Sequence, residues 1–531
     1  MRRSPRPLTG DRRGLRGLAL TLVVLLVVSL LAACSSAVEE ASSASNSDSG
    51  PTEGGTLRIG STSDIVPASI FTNSSDATNT LIGAVYDSLI DYPLDSLEPQ
   101  PRLATSWQVA KDGLSITLQL RDDVTFHSGR EFTSKDVEFS IKTWADPTWT
   151  VQLQRTAAAI TGFDTSDPHA ITLSFEHTIS NVFDLLDMLP IIDSETFDQL
   201  KEGKAYVGTG PFAFDSWTPS SKLTFSKNPD YWGEEPHLDG IQVDIVSDPQ
   251  AQVSQLRSGQ LDLVTGASNR DLETLGKDSK YTVTGFDGAV QQIYVGADLA
   301  NPDLQDVKLR QAIAYAIDRE RIVDEVFRGQ GTPINLPWPD YSPAYDAQAN
   351  ETYTYDPAKA KDLVAELGDH PTLPLSYPAG NANYEAVAQI VQSDLEAVGI
   401  KTQLQPVEYS QFIKQLIGGT FGGLWILQHG YAHYTPSTLA VSAYPFNADK
   451  NASHFESKEY KEHADGAWER TSGSDPAAVA NYQKLNKDLL DNLFLIEMAL
   501  LHFQVASTPA VHDLSMSKRG ELDLRSTYLA S

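Results

Sequence analysis

The chain has 531 residues, with 40 Lys or Arg against 70 Asp or Glu, which gives a formal net charge of −30. An acidic surface of this kind repels phosphate backbones, so the composition argues against nucleic-acid binding. The only cysteine is Cys34, which excludes an intramolecular disulfide and a zinc or iron–sulfur site built from cysteines. The length is sufficient for two or more domains, each with a core of its own.

The first 33 residues predict an export signal. Six arginines come first, an apolar run from Leu18 to Ala33 follows, and Cys34 comes directly after it. The apolar run has 16 residues, whereas a membrane-spanning helix needs roughly 20. A transmembrane helix and an ordinary cleaved signal are the two alternatives.

The small residues before Cys34 resemble the lipobox of bacterial lipoproteins. This resemblance implies that the signal peptide 1–33 is removed, that Cys34 is lipidated, and that acyl chains hold the protein at the extracytoplasmic face of the cell membrane. Because the removed segment carries six arginines and one aspartate, cleavage would take the formal net charge from −30 to −35. Residues 34–54 are rich in Ser, Ala, Glu and Gly and predict a flexible tether.

The remaining chain mixes strand and helix patterns. Alternating polarity predicts short strands at residues 55–60, 115–120 and 222–225. Apolar residues at three- and four-residue steps predict one long helix from 307 to 327, capped by Asp306.

The C-terminal half continues the same alternation. The predicted elements are a helix at 384–398 that ends at Gly399, a strand at 400–404, a helix at 411–417 capped by Ser410, and a buried strand at 424–427. Helices that alternate with strands predict an α/β fold with a sheet of mixed order.

The sequence lacks enzyme motifs in the structural context that they need. Residues 208–213 fit the dinucleotide pattern G-x-G-x-x-A, but Pro211 and the aromatic residues after it do not open a helix. The sequence contains no G-x-x-x-x-G-K-[ST], H-E-x-x-H or G-x-S-x-G motif. The chain is therefore predicted not to be an enzyme.

Several long segments stand in one order along the chain and together carry a family resemblance. The segments are Gly54–Leu57, Val85–Leu89, Glu98–Trp107, Leu120–Val137, Gly208–Phe212, Asn228–Trp232 and Val307–Arg319. With them, the chain from Gly55 onward resembles the peptide/nickel class of extracytoplasmic solute-binding proteins, the family 5 type that serves ABC importers.

The resemblance implies an α/β two-lobed clamp of the periplasmic-binding-protein type (class II), with an extra subdomain in the first lobe. The first lobe would comprise 55–286 and 502–531, with the inserted subdomain at about 93–212, and the second lobe would comprise 287–501. Two crossover strands would form the hinge, and closure would bury the ligand in the cleft. The closed form would dock on ABC permease subunits. We expect a monomer without a cofactor or a resident metal.

The segment Leu424–Pro436 is the most suggestive candidate for a ligand site, because a buried strand there ends in a loop of aromatic, imidazole and amide groups. In the family the matching passage faces the ligand, and many peptide-binding members carry aspartates there. This chain has no acid between Glu408 and Asp449, which weakens the case for a peptide with a free amine. The candidate ligand-binding residues are Trp425, Gln428, His429, Tyr431, His433 and Tyr434 in this segment, and Phe71, Tyr86, Trp338 and Tyr341 elsewhere.

Several interpretations of these residues remain open. The aromatic rings suit the faces of sugars, and His429 and His433 suit a metal or a metal chelate, although two histidines make an incomplete metal site. Packing in the core competes with ligand binding for every aromatic residue, above all for Trp425. The predicted ligand is an oligopeptide or a similar medium-sized polar solute, with an oligosaccharide or a metal chelate as the alternative. A tethered extracellular hydrolase and a sensor or scaffold are alternatives of other classes.

Overall fold

A computed structural model describes residues 50–67, 70–71, 75–149, 151–368 and 371–530. The predicted signal peptide, Cys34 and most of the predicted tether lie outside the described residues. The chain divides into two units, Met1–Thr52 and Glu53–Ser531, and the fold below is that of the second unit. Within the described ranges, the helices are too short or too polar to cross a membrane.

The strands of the described residues are numbered in chain order. They are β1 (Thr56–Ser61), β2 (Ile90–Asp91), β3 (Gln100–Pro101), β4 (Ala104–Val109), β5 (Ser115–Leu120), β6 (Ile160–Asp164), β7 (Ala170–Phe175), β8 (Phe212–Thr218), β9 (Lys222–Lys227), β10 (Gly240–Ile245), β11 (Leu263–Val264), β12 (Thr282–Ala297), β13 (Gly331–Pro333), β14 (Leu373–Pro378), β15 (Thr402–Val407), β16 (Leu424–His429), β17 (Leu495–Ser507), β18 (Val511–His512), β19 (Ser515–Met516), β20 (Leu522–Asp523) and β21 (Tyr528–Leu529).

The α-helices alternate with these strands. They are α1 (Asp76–Val85), α2 (Ser134–Ala145), α3 (Gln154–Ala158), α4 (Val182–Met188), α5 (Phe197–Lys201), α6 (Pro249–Arg257), α7 (Asn269–Leu275), α8 (Val307–Ala316), α9 (Arg319–Glu325), α10 (Pro357–Leu367), α11 (Ala382–Ala397), α12 (Tyr409–Gly418), α13 (Pro436–Ser442), α14 (Lys458–Trp468) and α15 (Pro476–Asn492). Short 3-10 helices lie at Pro147–Trp149, Pro302–Gln305, Ala349–Glu351 and Tyr431–His433.

One long sheet runs through most of this unit, with the strand order β15-β14-β16-β12-β17-β11-β1-β10-β9-β8 and with β13 paired to β17. It contains two groups of parallel strands. In one group β1 pairs in parallel with both β10 and β11, and in the other β14 pairs in parallel with both β15 and β16. The mixed order predicted from the sequence is confirmed.

The antiparallel strands β12 and β17 lie between the two parallel groups and connect them. β11 runs antiparallel to β17, and β16 runs antiparallel to β12, so the carboxyl ends of both groups point toward the middle of the connecting pair. On β17, Ala506 marks the end of β11 and Leu500 lies level with the end of β16. Six residues at about 3.3 Å each separate the two ends by about 20 Å.

A second, separate sheet has the order β4-β5-β7-β6, and its strands are all antiparallel. Its strands span 104–175, inside the predicted inserted subdomain 93–212. Residues of β5 and β7 alternate between buried and partly exposed, which is the pattern that the sequence of β5 predicted. The lobe and subdomain boundaries themselves stay predictions.

The single helix predicted at 307–327 is wrong, because the structure divides it into α8 and α9. Ile317 has an extended backbone with ψ 117°, and the Asp318 side chain accepts a hydrogen bond from the Arg321 amide to begin the second helix. The buried guanidinium of Arg319 explains the break. It donates to the carbonyl oxygens of Ala314, Ile317, Ile334, Tyr353 and Glu497. Because the carbonyl oxygens of Ala314 and Ile317 accept hydrogen bonds from this side chain, the helix ends at Ala316 and a second helix begins at Arg319.

Two further elements can be compared with their predictions. Gly399 follows α11 with φ +97°, as expected for a residue that ends a helix in the left-handed region. The predicted cap of the next helix is wrong by two residues. Glu408, rather than Ser410, accepts hydrogen bonds from the amides of Ser410 and Gln411, so α12 begins at Tyr409.

Candidate ligand-binding cleft

The site lies where the two groups of parallel strands end and face each other. We call the residues after β1 and β11 (62–63 and 265–266) the first edge. We call the residues after β14, β15 and β16 (379–380, 408–409 and 430) the second edge. In open α/β sheets, ligands bind at the carboxyl ends of parallel strands, because loops and helix N-termini converge there. The strand directions therefore define a cleft between the two edges.

The middle of β12 and β17 forms the floor of this cleft. His502, Phe503 and Gln504 are half-buried there, and Gln504 Nε2 donates to Gln330 Oε1 at 3.0 Å. The pairing of β12 with β17 shifts register between Gly285 and Val290. The ladder of hydrogen bonds is thus interrupted at the floor, where a hinge between two lobes would lie, and a second shift of register follows between Ile293 and Tyr294.

Close packing at the floor requires glycine at position 288. Gly288 has φ +87°, and a Cβ atom there would lie 2.7 Å from the carbonyl carbon of Leu94. The interrupted segment of β12 therefore touches the backbone that precedes the four-stranded sheet.

Neutral imidazole and amide groups lie at the end of β16. The Nδ1 atom of His429 accepts from the Tyr431 amide at 3.2 Å, so the neutral ring carries its proton on Nε2. Burial lowers the pKa of His429 to about 3, which keeps the ring neutral at physiological pH. The paired residue on β12 is Gln292. Both His429 Nε2 and Gln292 Nε2 are buried without a protein acceptor in the described part of the chain.

His433 is also neutral, but it has a different set of contacts. Its Nδ1 atom lies 3.0 Å from the carbonyl oxygen of Val290 and donates to it. Burial, together with the nearby ammonium of Lys518, lowers its pKa to about 3. The backbone carbonyl of His433 accepts from the Tyr341 hydroxyl at 3.3 Å, and that hydroxyl accepts from Lys518 Nζ at 3.2 Å. His433 therefore ties the loop after β16 to the floor.

Two buried aspartates of α4 bind this loop. Asp184 accepts from the Thr435 amide at 3.1 Å and from the Thr435 hydroxyl at 2.9 Å, and the Thr438 hydroxyl donates to it at 2.5 Å. Asp187 accepts from the Tyr434 hydroxyl at 2.8 Å. Both aspartates are almost fully buried. Their side chains therefore hold the loop through hydrogen bonds that water cannot replace.

The acid–base state of this pair follows from its burial. Burial raises the pKa of Asp184 to about 6, although the surrounding hydroxyl donors oppose the rise. Burial raises the pKa of Asp187 to about 7, against the opposing charge of Arg519. Arg519 Nη1 also donates to the Asp187 carbonyl at 2.6 Å.

One hydrogen bond joins the helices that follow the two edges. Asn383, at the start of α11 and beyond β14, donates to the side-chain oxygen of Asn269 at 3.0 Å. Asn269 begins α7, shortly after β11, and its own amide donates to the Phe327 carbonyl. The two sides of the cleft are therefore in contact at this point.

The structure brings together about half of the residues predicted from the sequence. The ring of His429 lies 5.1 Å from that of Tyr431, the rings of Tyr431 and Tyr434 are 6.2 Å apart, and those of His433 and Tyr434 are 4.7 Å apart. Tyr341 joins this cluster through its hydroxyl. Gln428 lies at the same strand end, where its side-chain oxygen accepts from Tyr384 at 3.3 Å.

The other predicted residues lie apart from this cluster. Trp425 is fully buried near the start of β16 and stacks on Phe421 at 4.7 Å. Trp338 is buried and donates to the side-chain oxygen of Asn486. Phe71 packs against Trp144 and Trp149.

Tyr86 is buried at the far end of α1 from the first edge, ten residues or about 15 Å away. Whether any predicted residue binds ligand stays a prediction.

Sequence reasoning missed the aspartates of α4 and the threonines that end the strands. Thr62 and Thr265 follow β1 and β11 directly. A threonine directly after a buried strand is a sequence pattern from which both could have been predicted. No comparable signal was available for Asp184, because its partners Thr435 and Thr438 lie more than 250 residues away in the chain.

The alternative of direct metal ligation has little support from this geometry. The imidazole proton of His429 occupies Nε2, and His433 donates from Nδ1 to a backbone carbonyl, so the two rings do not present two lone pairs to one ion. Among the described residues, no group of three or more His, Cys, Asp or Glu is placed to hold a metal ion.

Two groups of strand ends that face each other across two connecting strands define a solute-binding protein of the clamp type. Comparison with known families agrees. The family described as "Bacterial extracellular solute-binding proteins, family 5 Middle" matches residues 98–451, more than half of the chain. The chain belongs to this family of extracytoplasmic solute-binding proteins.

Individual relatives are similar to this chain at moderate identity. Heme-binding protein A of Haemophilus influenzae is 28% identical over 375 residues, which are 64% of this chain and 68% of that protein. Di/tripeptide-binding protein 2 of Pseudomonas aeruginosa is 29% identical over 368 residues, which are 63% of this chain and 68% of that protein.

A solved structure extends the similarity to the fold. The oligopeptide-binding protein AppA of Bacillus subtilis, solved in complex with a nonapeptide, superposes with a TM-score of 0.79 at 20% identity, over 91% of this chain and 100% of that chain. The predicted fold class, a two-lobed α/β clamp, is confirmed.

We predict that Asp184→Ala destabilises the contact between α4 and the loop after β16. The substitution leaves the buried donors of Thr435 and Thr438 without an acceptor, which costs about 2–4 kcal/mol of unfolding free energy. Hydrogen exchange at the Thr435 amide, together with chemical denaturation, measures the effect. Asp198→Ala is the matched control, because the Asp198 side chain is 90% exposed and its ion pair with Lys201 lies at the surface. An unchanged exchange rate of the Thr435 amide would contradict the role of Asp184 in holding the loop after β16.

Proposed function

We propose that this protein is the lipid-anchored solute receptor of an ABC importer, and that it captures an oligopeptide or a similar medium-sized polar solute. The two opposed strand edges carry this proposal, because they place polar groups on both sides of a single cleft. The ligand is released unchanged to the permease subunits, and the receptor works as a monomer.

The polar character of the cleft supports a ligand with many hydrogen-bonding groups. His429 and Gln292 offer buried N–H donors at the second edge, and Gln504 and His502 lie on the floor. A buried donor that lacks an acceptor costs free energy, so a carbonyl or hydroxyl oxygen of a bound solute would stabilise this edge.

Related proteins favour a peptide among the possible solutes. The names of Di/tripeptide-binding protein 2 and AppA refer to peptides, and that of Heme-binding protein A refers to heme. An oligosaccharide or a metal chelate is the alternative ligand, because the aromatic rings near His429 also suit a flat ring system.

The lipid anchor is proposed from the sequence around Cys34. A buried acyl chain contributes about 0.8 kcal/mol per methylene, and two or more chains hold a protein stably at a membrane. The 20 residues from Ser35 to Gly54 would allow the folded unit to stand away from the membrane surface.

The ligand proposal is tested by a thermal-shift screen of the purified protein. The probes are tripeptides to pentapeptides, oligosaccharides, and nickel or siderophore complexes. A ligand at 100 times its dissociation constant should stabilise the protein by about 2.7 kcal/mol. A shift with sugars and none with peptides would refute the peptide assignment, and a shift with none of the three classes would refute the receptor proposal.

The anchor is tested by Cys34→Ser in cells that make the full-length chain. We expect the unaltered protein in the membrane fraction and the variant in the soluble extracytoplasmic fraction, with equal ligand-induced thermal shifts. If both proteins fractionate together, the lipid anchor at Cys34 is wrong.

A further inference from the structure

The helix α4 is bound to the first side of the cleft, which we define as β1, α1 and the segment 86–92 that follows them. The Leu186 carbonyl accepts from the Leu89 amide at 3.1 Å. The Asp187 carboxylate accepts from the Tyr92 amide at 3.2 Å in a buried hydrogen bond. Since these bonds join the helix to the backbone of the first side, α4 is expected to move with that side.

Side chains of α4 and of the two residues before it also contact the second side of the cleft, the side of β16 and α13. The Asn181 amide group donates to the Thr438 hydroxyl at 2.8 Å, and its oxygen accepts from the Trp468 indole at 2.8 Å. The Ser180 amide donates to the Trp468 carbonyl at 2.8 Å, and the hydroxyls of Ser180 and Ser437 are 2.8 Å apart. These residues are all buried. Together with the hydrogen bonds of the two aspartates described above, they form what we call the α4 contact, which is the contact of residues 180–187 with residues 434–438 and Trp468.

A hinge movement must break the α4 contact. Residues 434–438 follow β16 and the loop of the second edge, whereas α4 is held by the first side. A change of angle at the interrupted part of β12 and β17 therefore pulls the partners apart. On separation, water reaches Asp184 and Asp187, which are buried as long as the contact is formed.

Proton binding differs between the two states. Burial in the α4 contact raises the pKa of Asp184 to about 6 and that of Asp187 to about 7, whereas the pKa of an exposed aspartate is about 4. The formed contact therefore holds more protons than the separated state between about pH 4 and 7. Its stability relative to the separated state is greatest in acid and is lost as the pH rises through about 6 and 7.

The hydrogen bonds of the contact tolerate this protonation. The two amides that donate to the pair face Asp184 Oδ2 and Asp187 Oδ1, which leaves Asp184 Oδ1 and Asp187 Oδ2 for the protons. Those two oxygens face only hydroxyls within the described ranges, namely those of Tyr92, Thr435 and Tyr434. A hydroxyl can donate or accept, so each neutral carboxyl can donate to a partner that it already has.

The charged groups that face the two aspartates keep one charge state in this pH range. They are Asp91, Lys518, Arg519 and Glu521. Burial lowers the pKa of Lys518 only to about 8, so its ammonium stays charged below pH 7. A guanidinium such as that of Arg519 stays charged throughout. Arg155 on α3, which packs beside α4, pairs with carboxylates at the rim of the contact, those of Asp449 and Asp465.

The neutral titratable groups around the pair are phenols and imidazoles. Burial raises the pKa of Tyr92, Tyr434 and Tyr482, so these phenols stay neutral. His433 stays neutral as well, because its pKa is lowered to about 3. His177 packs on the ring of Trp468 at 4.8 Å. Since histidine as a class changes charge near this pH range, His177 is the group that the test must control for.

We propose that the α4 contact is a proton-coupled latch of the clamp, which takes up protons when the two sides come together and releases them when the sides separate. The latch is a property of the clamp and requires no particular ligand. An acidic medium favours the closed arrangement and therefore the capture of a solute, and a neutral or basic medium favours opening and release.

The test measures the separation of the two sides in the solute-free protein by double electron–electron resonance. Thr274 on α7 and Gln389 on α11 are exposed and lie on helices that follow the first and the second edge. Spin labels are attached to Thr274→Cys and Gln389→Cys in a chain that also carries Cys34→Ser, so that the two labels are the only ones. The distribution of distances between the labels is recorded at pH 5 and at pH 7.5.

We expect a short distance to dominate at pH 5 and a longer distance to gain population at pH 7.5. The ratio of short to long should fall by about tenfold or more, which is the change that a single carboxyl with a pKa raised by two units gives over this range. Asp184→Asn combined with Asp187→Asn imitates the protonated pair, because each amide group keeps an acceptor oxygen and gains donors for the hydroxyls. This double variant should show the short distance at both pH values.

Three further variants separate the latch from other effects. Thr438→Val keeps the shape of the side chain but removes the hydroxyl that joins Asp184 and Asn181, so the longer distance should gain population at both pH values. Thr161→Val makes the same change at an exposed position on β6 and should behave as wild type. His177→Gln should keep the response of wild type to pH.

Each contrary result overturns a stated part of the proposal. One distance that is independent of pH in wild type would refute the coupling to protons. A response to pH that survives in the double aspartate variant, or that is lost in His177→Gln, would assign the protons to other groups. An unchanged distribution in Thr438→Val, or an equal change in Thr161→Val, would show that the α4 contact is not a latch. Because no solute is present, these results leave the proposed receptor function standing.

Discussion

The antiparallel pairing of β12 with β17 is the constraint on which the rest of the structure depends. Since β11 must run antiparallel to β17, and β16 antiparallel to β12, the carboxyl ends of the two parallel groups can only point toward each other. Parallel strands concentrate loops and helix N-termini at their carboxyl ends, so the pairing alone creates a polar cleft about 20 Å wide. The interruption of the pair between Gly285 and Val290 lies in the middle of this cleft, where a change in the angle between the two groups would break the fewest hydrogen bonds.

Electrostatics divides the described cleft residues into two kinds. Around the loop after β16, burial is matched by partners: Asp184 has hydroxyl and amide donors, and Asp187 has Tyr434 and the nearby Arg519. At the strand ends, polar groups are left without protein partners, as with the donors of His429 and Gln292. The groups that have hydrogen-bond partners hold the two sides together. The buried groups without partners destabilise the protein until a solute forms hydrogen bonds with them. This division explains how the protein can hold contacts between the two sides of the cleft and still gain stability from a ligand.

Local patterns in the sequence were sufficient for much of the fold. The alternation in β5 and the glycine after α11 act within a few residues, and both predictions agree with the structure. Predictions failed where distant residues decide the outcome. The break between α8 and α9 depends on carbonyl groups from Ile334, Tyr353 and Glu497 that accept from Arg319, and no pattern around 307–327 contains them. Likewise, the residues near Tyr434 could be recognised as a loop after a buried strand, but Asp187, its hydrogen-bond partner, is 247 residues away.

The central claim is that a solute is held between the two strand edges and touches both of them. Hydrogen exchange with and without the solute identified by the thermal-shift screen tests this most directly, because it reports on each edge separately. The account predicts that binding slows exchange in residues 61–64 and 264–267 at the first edge and also in residues 407–411 and 428–432 at the second. Slower exchange at only one edge, or only at sites away from both, would contradict it.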